Sequence, residues 1–201
     1  MLREIWEPGL NVLFVGTAVD VVSNSLGFYH LHPRDRFWES IELGGITPNR
    51  IISASERKAL EEGHKQGSLS DPIRQLFIEK KTSQLVKLGI GLADLNRRVL
   101  ANGDKDKAAW PAEGDIHQFI GRLPELNPKI LAFVVNADLF VELFKSRYPE
   151  VTPTLGLQSF KIGNAEVWLL GSTATKPRGE ALTQQEDAFF ALGERISALK
   201  G

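Results

Sequence analysis

Four short apolar runs, spaced widely along the chain, limit its possible folds more than any other feature. They are residues 12–15 (VLFV), the Ile90-Gly91-Leu92 region, residues 130–135 (ILAFVV) and residues 167–170 (VWLL). Each has strand length, and none alternates polar with apolar residues, which is the pattern of strands buried on both faces. Helix-compatible stretches lie between them, over 36–43, 54–66, 71–87, 138–147 and 183–199. In the last, Thr183 followed three residues later by Glu186 forms a capping-box pattern. Phe189, Phe190, Leu192, Ile196 and Leu199 then supply an apolar face at helical spacing. Strands separated by helices imply a sheet covered on both sides. The sequence thus predicts an α/β fold: a three-layer α/β/α sandwich around a central, mostly parallel sheet of about four strands. No repeat or linker divides the chain, so residues 1–201 are expected to form one domain, with 53–87 as a helical insertion.

Composition narrows the chemistry. Hydrophobic content of 42% and charged content of 24% are ordinary for a globular chain. A formal charge of −1 gives no global positive field, so any nucleic-acid contact must come from local basic clusters. The absence of cysteine excludes disulfides, thiolate metal sites, a catalytic thiol and cysteine-held iron–sulfur clusters. The histidines, His30, His32, His64 and His117, form no convincing metal-ligand spacing, and no metal or other cofactor is expected. The opening MLREIWEPGL lacks a signal-like apolar stretch and no run approaches a membrane span, so a cytoplasmic location is expected.

The ends of the apolar runs carry the functional signal. Residues 12–15 run into Gly16-Thr17-Ala18, residues 130–135 into Asn136-Ala137-Asp138, and residues 167–170 into Gly171-Ser172-Thr173-Ala174. In open parallel sheets, ligands bind beyond the carboxyl ends of the strands, where backbone amides and short side chains face a crevice. Three such endings together point to a ligand site.

The order of residues 12–38, a strand, a glycine loop and then His32-Pro33 leading to Arg36-Phe37-Trp38, resembles the first signature of the uracil-DNA glycosylase superfamily, specifically its mismatch-specific uracil/thymine branch. Leu88-Gly89-Ile90-Gly91-Leu92-Ala93-Asp94-Leu95 is similar to that family's Gly-Ile-Gly-Leu-Thr-Asp-Leu segment, with Ala93 in place of threonine. Residues 167–178 (VWLLGSTATKPR) stand where the second signature is found. The resemblance implies base excision from DNA: a base is rotated out of the stack into a pocket and its N-glycosidic bond is hydrolysed. Residues 53–87 are longer than the matching region of relatives, which usually work as monomers.

Carried over position by position, the resemblance implies that Gly16, Thr17 and Ala18 hold the base while Tyr29 or His30 stacks on it. Ser172, Thr173, Lys176 and Arg178 fall in the loop that grips the strand, and Arg97-Arg98 add a second basic pair. The chain departs from the family at several points. Ala18 occupies the place of the asparagine that positions water, and a methyl group can do neither part of that task. Asp94 is the natural substitute and Asp20 the second candidate; otherwise Asp94 reads as the cap of a helix starting at Leu95, and Asp20 as a turn residue. Asp35 replaces a common asparagine, Gly171-Ser172-Thr173 replaces a Pro-Ser start, and Asn136-Ala137 stands for Gly-Lys. Phe37 and Trp38 read as core anchors and Arg36 as a loop clamp. The alternatives to a glycosylase are a catalytically lost nucleic-acid or nucleotide-binding module on the same fold, and a hydrolase of free nucleosides.

Overall fold

The computed structural model describes residues 2–100, 110–174 and 177–199, with 97–100 described by backbone alone. Its strands are β1 (Val12–Asp20), β2 (Ile90–Leu100), β3 (Ile130–Phe133), β4 (Gly156–Ile162) and β5 (Ala165–Leu169). They form one sheet in the order β2-β1-β3-β5-β4. β2, β1, β3 and β5 are parallel, and β4 runs antiparallel to β5 at the edge. The sheet therefore has five strands where the sequence suggested about four.

The unalternating runs are explained by what covers them. Val12, Phe14, Ile90, Leu92, Ile130, Ala132 and Trp168 face one apolar layer, and Leu13, Val15, Ala93, Leu131, Phe133, Val167 and Leu169 face the other. Successive side chains of a strand point to opposite faces, so burial on both sides demands apolar residues at every position. The first layer is built from α1 (Val21–Leu26), α2 (Phe37–Leu43), α3 (Ala54–Lys65), α4 (Asp71–Lys87) and, from the far end of the chain, Ala188, Phe189, Leu192 and Ile196. The second comes from α5 (Glu113–Leu126) and α6 (Ala137–Phe144). This is a three-layer α/β/α sandwich.

The last helix, α7 (Glu180–Ala198), begins at Gly179 rather than at Thr183. Glu186 is thus inside the helix, where it pairs with Arg36 at 3.3 Å instead of closing a capping box. α2 and α7 meet closely: a Cβ on Gly193 would lie 1.8 Å from the Gly44 carbonyl oxygen, so only glycine permits that approach.

The segment 53–87 is a helical pair. Ser53 and Glu56 cap α3 reciprocally. The buried Lys81 of α4 donates to the Ile51 carbonyl and to Glu56, the latter at 2.7 Å, while Leu60 and Leu85 enter the first apolar layer. Arg57 of α3 donates to the carbonyls of His32 and Asp35 at 2.9 and 2.8 Å. The pair therefore buttresses the proline turn that follows α1.

Candidate functional site

The register of β1 creates a crevice. Pairing with β3 ends at Val15↔Phe133, whereas pairing with β2 continues through Gly16↔Asp94 and Ala18↔Asn96 to Asp20↔Leu100. β2 is shifted between Ala18 and Val19, an irregularity that re-aims the end of a strand. The chain leaves β1 for one neighbour, β2, and later returns to the other side at β3. This is a topological switch point, where open α/β sheets bind ligands. A cavity of about 80 Å³ lies there, lined by residues 16–20, Ser23, Tyr29, His30, Asp35, Asp94, Val134 and residues 172–174. One water needs roughly 10–15 Å³ on this measure, so the hollow has room for a small ring or several waters.

Gly16 and Asp94 form the floor. They are register partners, and a Cβ on Gly16 would sit 2.3 Å from Asp94 Oδ1. The carboxylate therefore occupies the space that a side chain at position 16 would fill, close against the β1 backbone. Asp94 lies in mid-strand, which overturns its reading as a helix cap: β2 runs straight through Leu95. Ala18 shares the face of Gly16 by strand alternation, whereas Thr17 points its side chain to the opposite face and offers the cavity its backbone.

The opposite wall is a buried ion pair. His30 adopts φ +55°, a left-handed conformation that costs a non-glycine residue roughly 1 kcal/mol, and its ring stacks on Phe37 with centroids 4.0 Å apart. Its Nδ1 donates to Asp35 Oδ2 at 2.8 Å. The side chains are only 17% and 8% exposed. Burial by itself disfavours the imidazolium, but the Asp35 charge and hydrogen bond, reinforced by Asp94 and Asp20, outweigh it and raise the His30 pKa. Burial likewise works against the Asp35 carboxylate, yet His30, the Thr173 hydroxyl and the Phe37 amide together hold its pKa below the usual value. Phe37 N donates to Asp35 Oδ1 at 2.9 Å, and Arg36 N donates to the Thr173 carbonyl at 3.0 Å. Two loops far apart in sequence are thus locked together.

Asp20 is engaged differently from the sequence expectation. Its Oδ1 accepts from the amides of Val22 and Ser23 at 2.9 and 3.0 Å, capping α1, so it is a helix cap at the rim rather than a loose turn residue. Ser23 Oγ in turn accepts from Leu31 N at 2.9 Å.

The structure gathers Gly16, Thr17, Ala18, Asp20, Tyr29, His30, Asp94, Ser172 and Thr173 around this one cavity. Tyr29 is buried in the first apolar layer with its ring 6.3 Å from His30, and one face of His30 is already covered by Phe37. Thr173 is 2% exposed and turned inward, so it is a wall of the cavity and not an outward strand contact. Ser172 has its carbonyl held by Gln185 Nε2 at 3.0 Å. Arg178 is exposed and outside the cavity. Lys176 and the side chains of Arg97 and Arg98 lie outside the described residues. Phe37 and Trp38 are fully buried, and Arg36 ties α2 to Glu186 of α7.

Sequence reasoning missed the partnership of Asp35 with His30. Its signal was a histidine and an acid five residues apart across Pro33, a spacing that a tight turn folds into contact. Among the described residues no cluster of three or more acidic or imidazole side chains is placed to hold a metal ion, and no helix is long and apolar enough to cross a membrane. No known protein-family model matches the chain.

Proposed function

We propose that this protein is a DNA base-excision glycosylase of the mismatch-specific uracil type, hydrolysing the N-glycosidic bond of uracil or a related deaminated or mispaired base. One observation carries the reading: the Asp94 carboxylate packs in the Cβ space of Gly16, at the floor of a small cavity at the β1/β3 switch point. Cleavage builds positive character on the sugar and negative character on the departing base. A carboxylate at the floor can orient a water and stabilise the sugar cation, while the backbone of residues 16–18, where the Thr17 amide lies on the side of β1 away from β2, meets the base oxygens. Asp20, already a cap, adds negative potential at the rim. Ser172, which lines the cavity, and the exposed Arg178 would approach the strand. Such contacts give the salt-sensitive, sequence-independent part of DNA affinity. The reaction needs neither metal nor organic cofactor, and the enzyme acts on DNA as a monomer in the cytoplasm.

The test is incubation at stoichiometric enzyme with duplexes carrying a single uracil, a G·T mismatch or hypoxanthine, followed by alkali. Strand scission on the uracil duplex is expected; no abasic product on any of them removes the enzymatic reading. A second reading, a binding module that has lost its chemistry, is favoured by Ala18, whose methyl lines the cavity where relatives carry asparagine. That module binds DNA in a salt-dependent way, releases no base, and is indifferent to Asp94→Asn.

A further inference from the structure

The loop that follows β5 is shaped by a side chain of α7. Leu170 N still donates to the Phe133 carbonyl at 2.9 Å, and beyond it the chain leaves the sheet. The carbonyls of Leu170 and Ser172 are both taken by Gln185 Nε2, at 3.2 and 3.0 Å. A primary amide nitrogen has two donors, so both are committed. Gly171 turns the chain between these carbonyls at φ +75°, and a Cβ there would sit 3.1 Å from Nε2. The amide thus does for this loop what a neighbouring strand does inside the sheet. Ser172, Thr173 and Ala174, the next residues along, line the cavity.

Gln185 is out of character for its position. It is 3% exposed and shares the buried face of α7 with Ala188, Phe189, Leu192, Gly193 and Ile196. Its Oε1 is buried and has no hydrogen-bond partner among the described residues. A buried amide with an idle acceptor is a poor source of stability, and an apolar side chain of the same length would fill the space without that penalty. The next residue, Glu186, pairs with Arg36, whose backbone N donates to the Thr173 carbonyl at 3.0 Å. Two consecutive residues of α7 therefore reach the same wall of the cavity, Gln185 directly and Glu186 through the proline turn.

We propose that Gln185 is a positioning residue for the substrate: its amide sets residues 171–174 in the shape that meets the DNA strand, so that the wall is ordered before binding. This rests on the glycosylase reading and adds to it a residue that touches neither base nor sugar. A loop already held in its bound shape spares the complex the entropy of ordering it. Releasing the loop weakens binding, whereas the complex, once formed, has the same groups around the reacting atoms. The signature is lost affinity at an unchanged maximal rate.

The experiment is single-turnover excision from a single-uracil duplex at increasing enzyme concentration, which separates the half-saturating concentration from the maximal rate. Gln185→Met keeps the length of the side chain and removes both donors. It should raise the half-saturating concentration about 10-fold and leave the maximal rate within about 3-fold of wild type; thermal unfolding checks that the fold is retained. Gly171→Ala disturbs the same contact from the loop side and should give the same split. Because both act through one contact, the double variant should bind within about 2-fold of the weaker single one. A half-saturating concentration within about 3-fold of wild type in the folded variants overturns the proposal and leaves the glycosylase reading standing, since Gln185 then serves stability alone. A loss confined to the maximal rate overturns it as well. No excision by the wild-type protein removes both.

Discussion

Residues 12–15 of β1 have a strand on either side and helices above and below, whereas residues 16–20 keep β2 and have no pairing with β3. The first half is bulky, apolar and at most 1% exposed. Apart from Val19, which enters the first apolar layer, the second half is small or polar, and residues 16–20 all line the cavity. The backbone is continuous and the pairing with β2 is shared, so the two halves differ in their neighbours. Loss of β3 opens room, and glycine at the boundary lets a carboxylate from β2 move into it. One half fixes position; the other uses it.

That division can be broken from either end. Leu13→Ala removes a fully buried side chain facing α5 and α6. It should cost about 2–5 kcal/mol by urea unfolding, while excision by the folded fraction stays close to wild type. A large change in excision at native stability would mean that the halves are not separate. Asp35→Asn should cost about 1–3 kcal/mol, because a buried imidazole loses its counter-charge. The cost depends on pH. His30 has a raised pKa, so its contribution is complete below the unfolded value of 6.5 and disappears as pH climbs through the folded one. Asp35 has a lowered pKa, so its contribution is complete above the unfolded value of 3.8 and disappears as pH drops through the folded one. The variant should therefore differ most from wild type between pH 3.8 and 6.5, and urea midpoints across that range check it.

Gly16→Ala sharpens the boundary itself. The added methyl meets Asp94 Oδ1 and should cost about 1–3 kcal/mol, with a larger proportional loss of uracil excision than Leu13→Ala causes. The smallest effect belongs to Asp20→Asn. Asparagine caps as well as aspartate, so stability should change by less than about 0.5 kcal/mol, whereas Asp20→Ala should lose about 1 kcal/mol by the same unfolding measurement.

The parallel strands and most helices were legible because their signals are local: double-sided burial leaves unbroken apolar runs, and α2, α3 and α4 begin and end within one or two residues of the sequence expectation. β4 was not legible. Its first residues invert the usual pattern, with Leu157 facing out and Gln158 facing in, where Gln158 Nε2 donates to the Thr154 carbonyl at 2.8 Å. The two-residue Gly163-Asn164 link to β5 was its best signal, a short hairpin turn with Gly163 at φ +61°. α5 was hidden by Gly121 and Pro124, which lower helix propensity inside an amphipathic stretch. Within the site, Gly16 at the end of the first apolar run and Asp94 were readable from sequence. The pairing of Asp35 with His30 was not, because an acid near a supposed DNA face reads as repulsion until the turn shows it folded inward against a histidine.

Single-turnover excision of uracil from a G·U duplex, by the wild-type protein and by Asp94→Asn, bears most directly on the claim that the crevice beyond β1 is a catalytic base pocket. A fall of about 100-fold or more with unchanged unfolding is the expected result, the size of loss that follows removal of a group that orients or activates the nucleophile. Equal rates for the two proteins would contradict it.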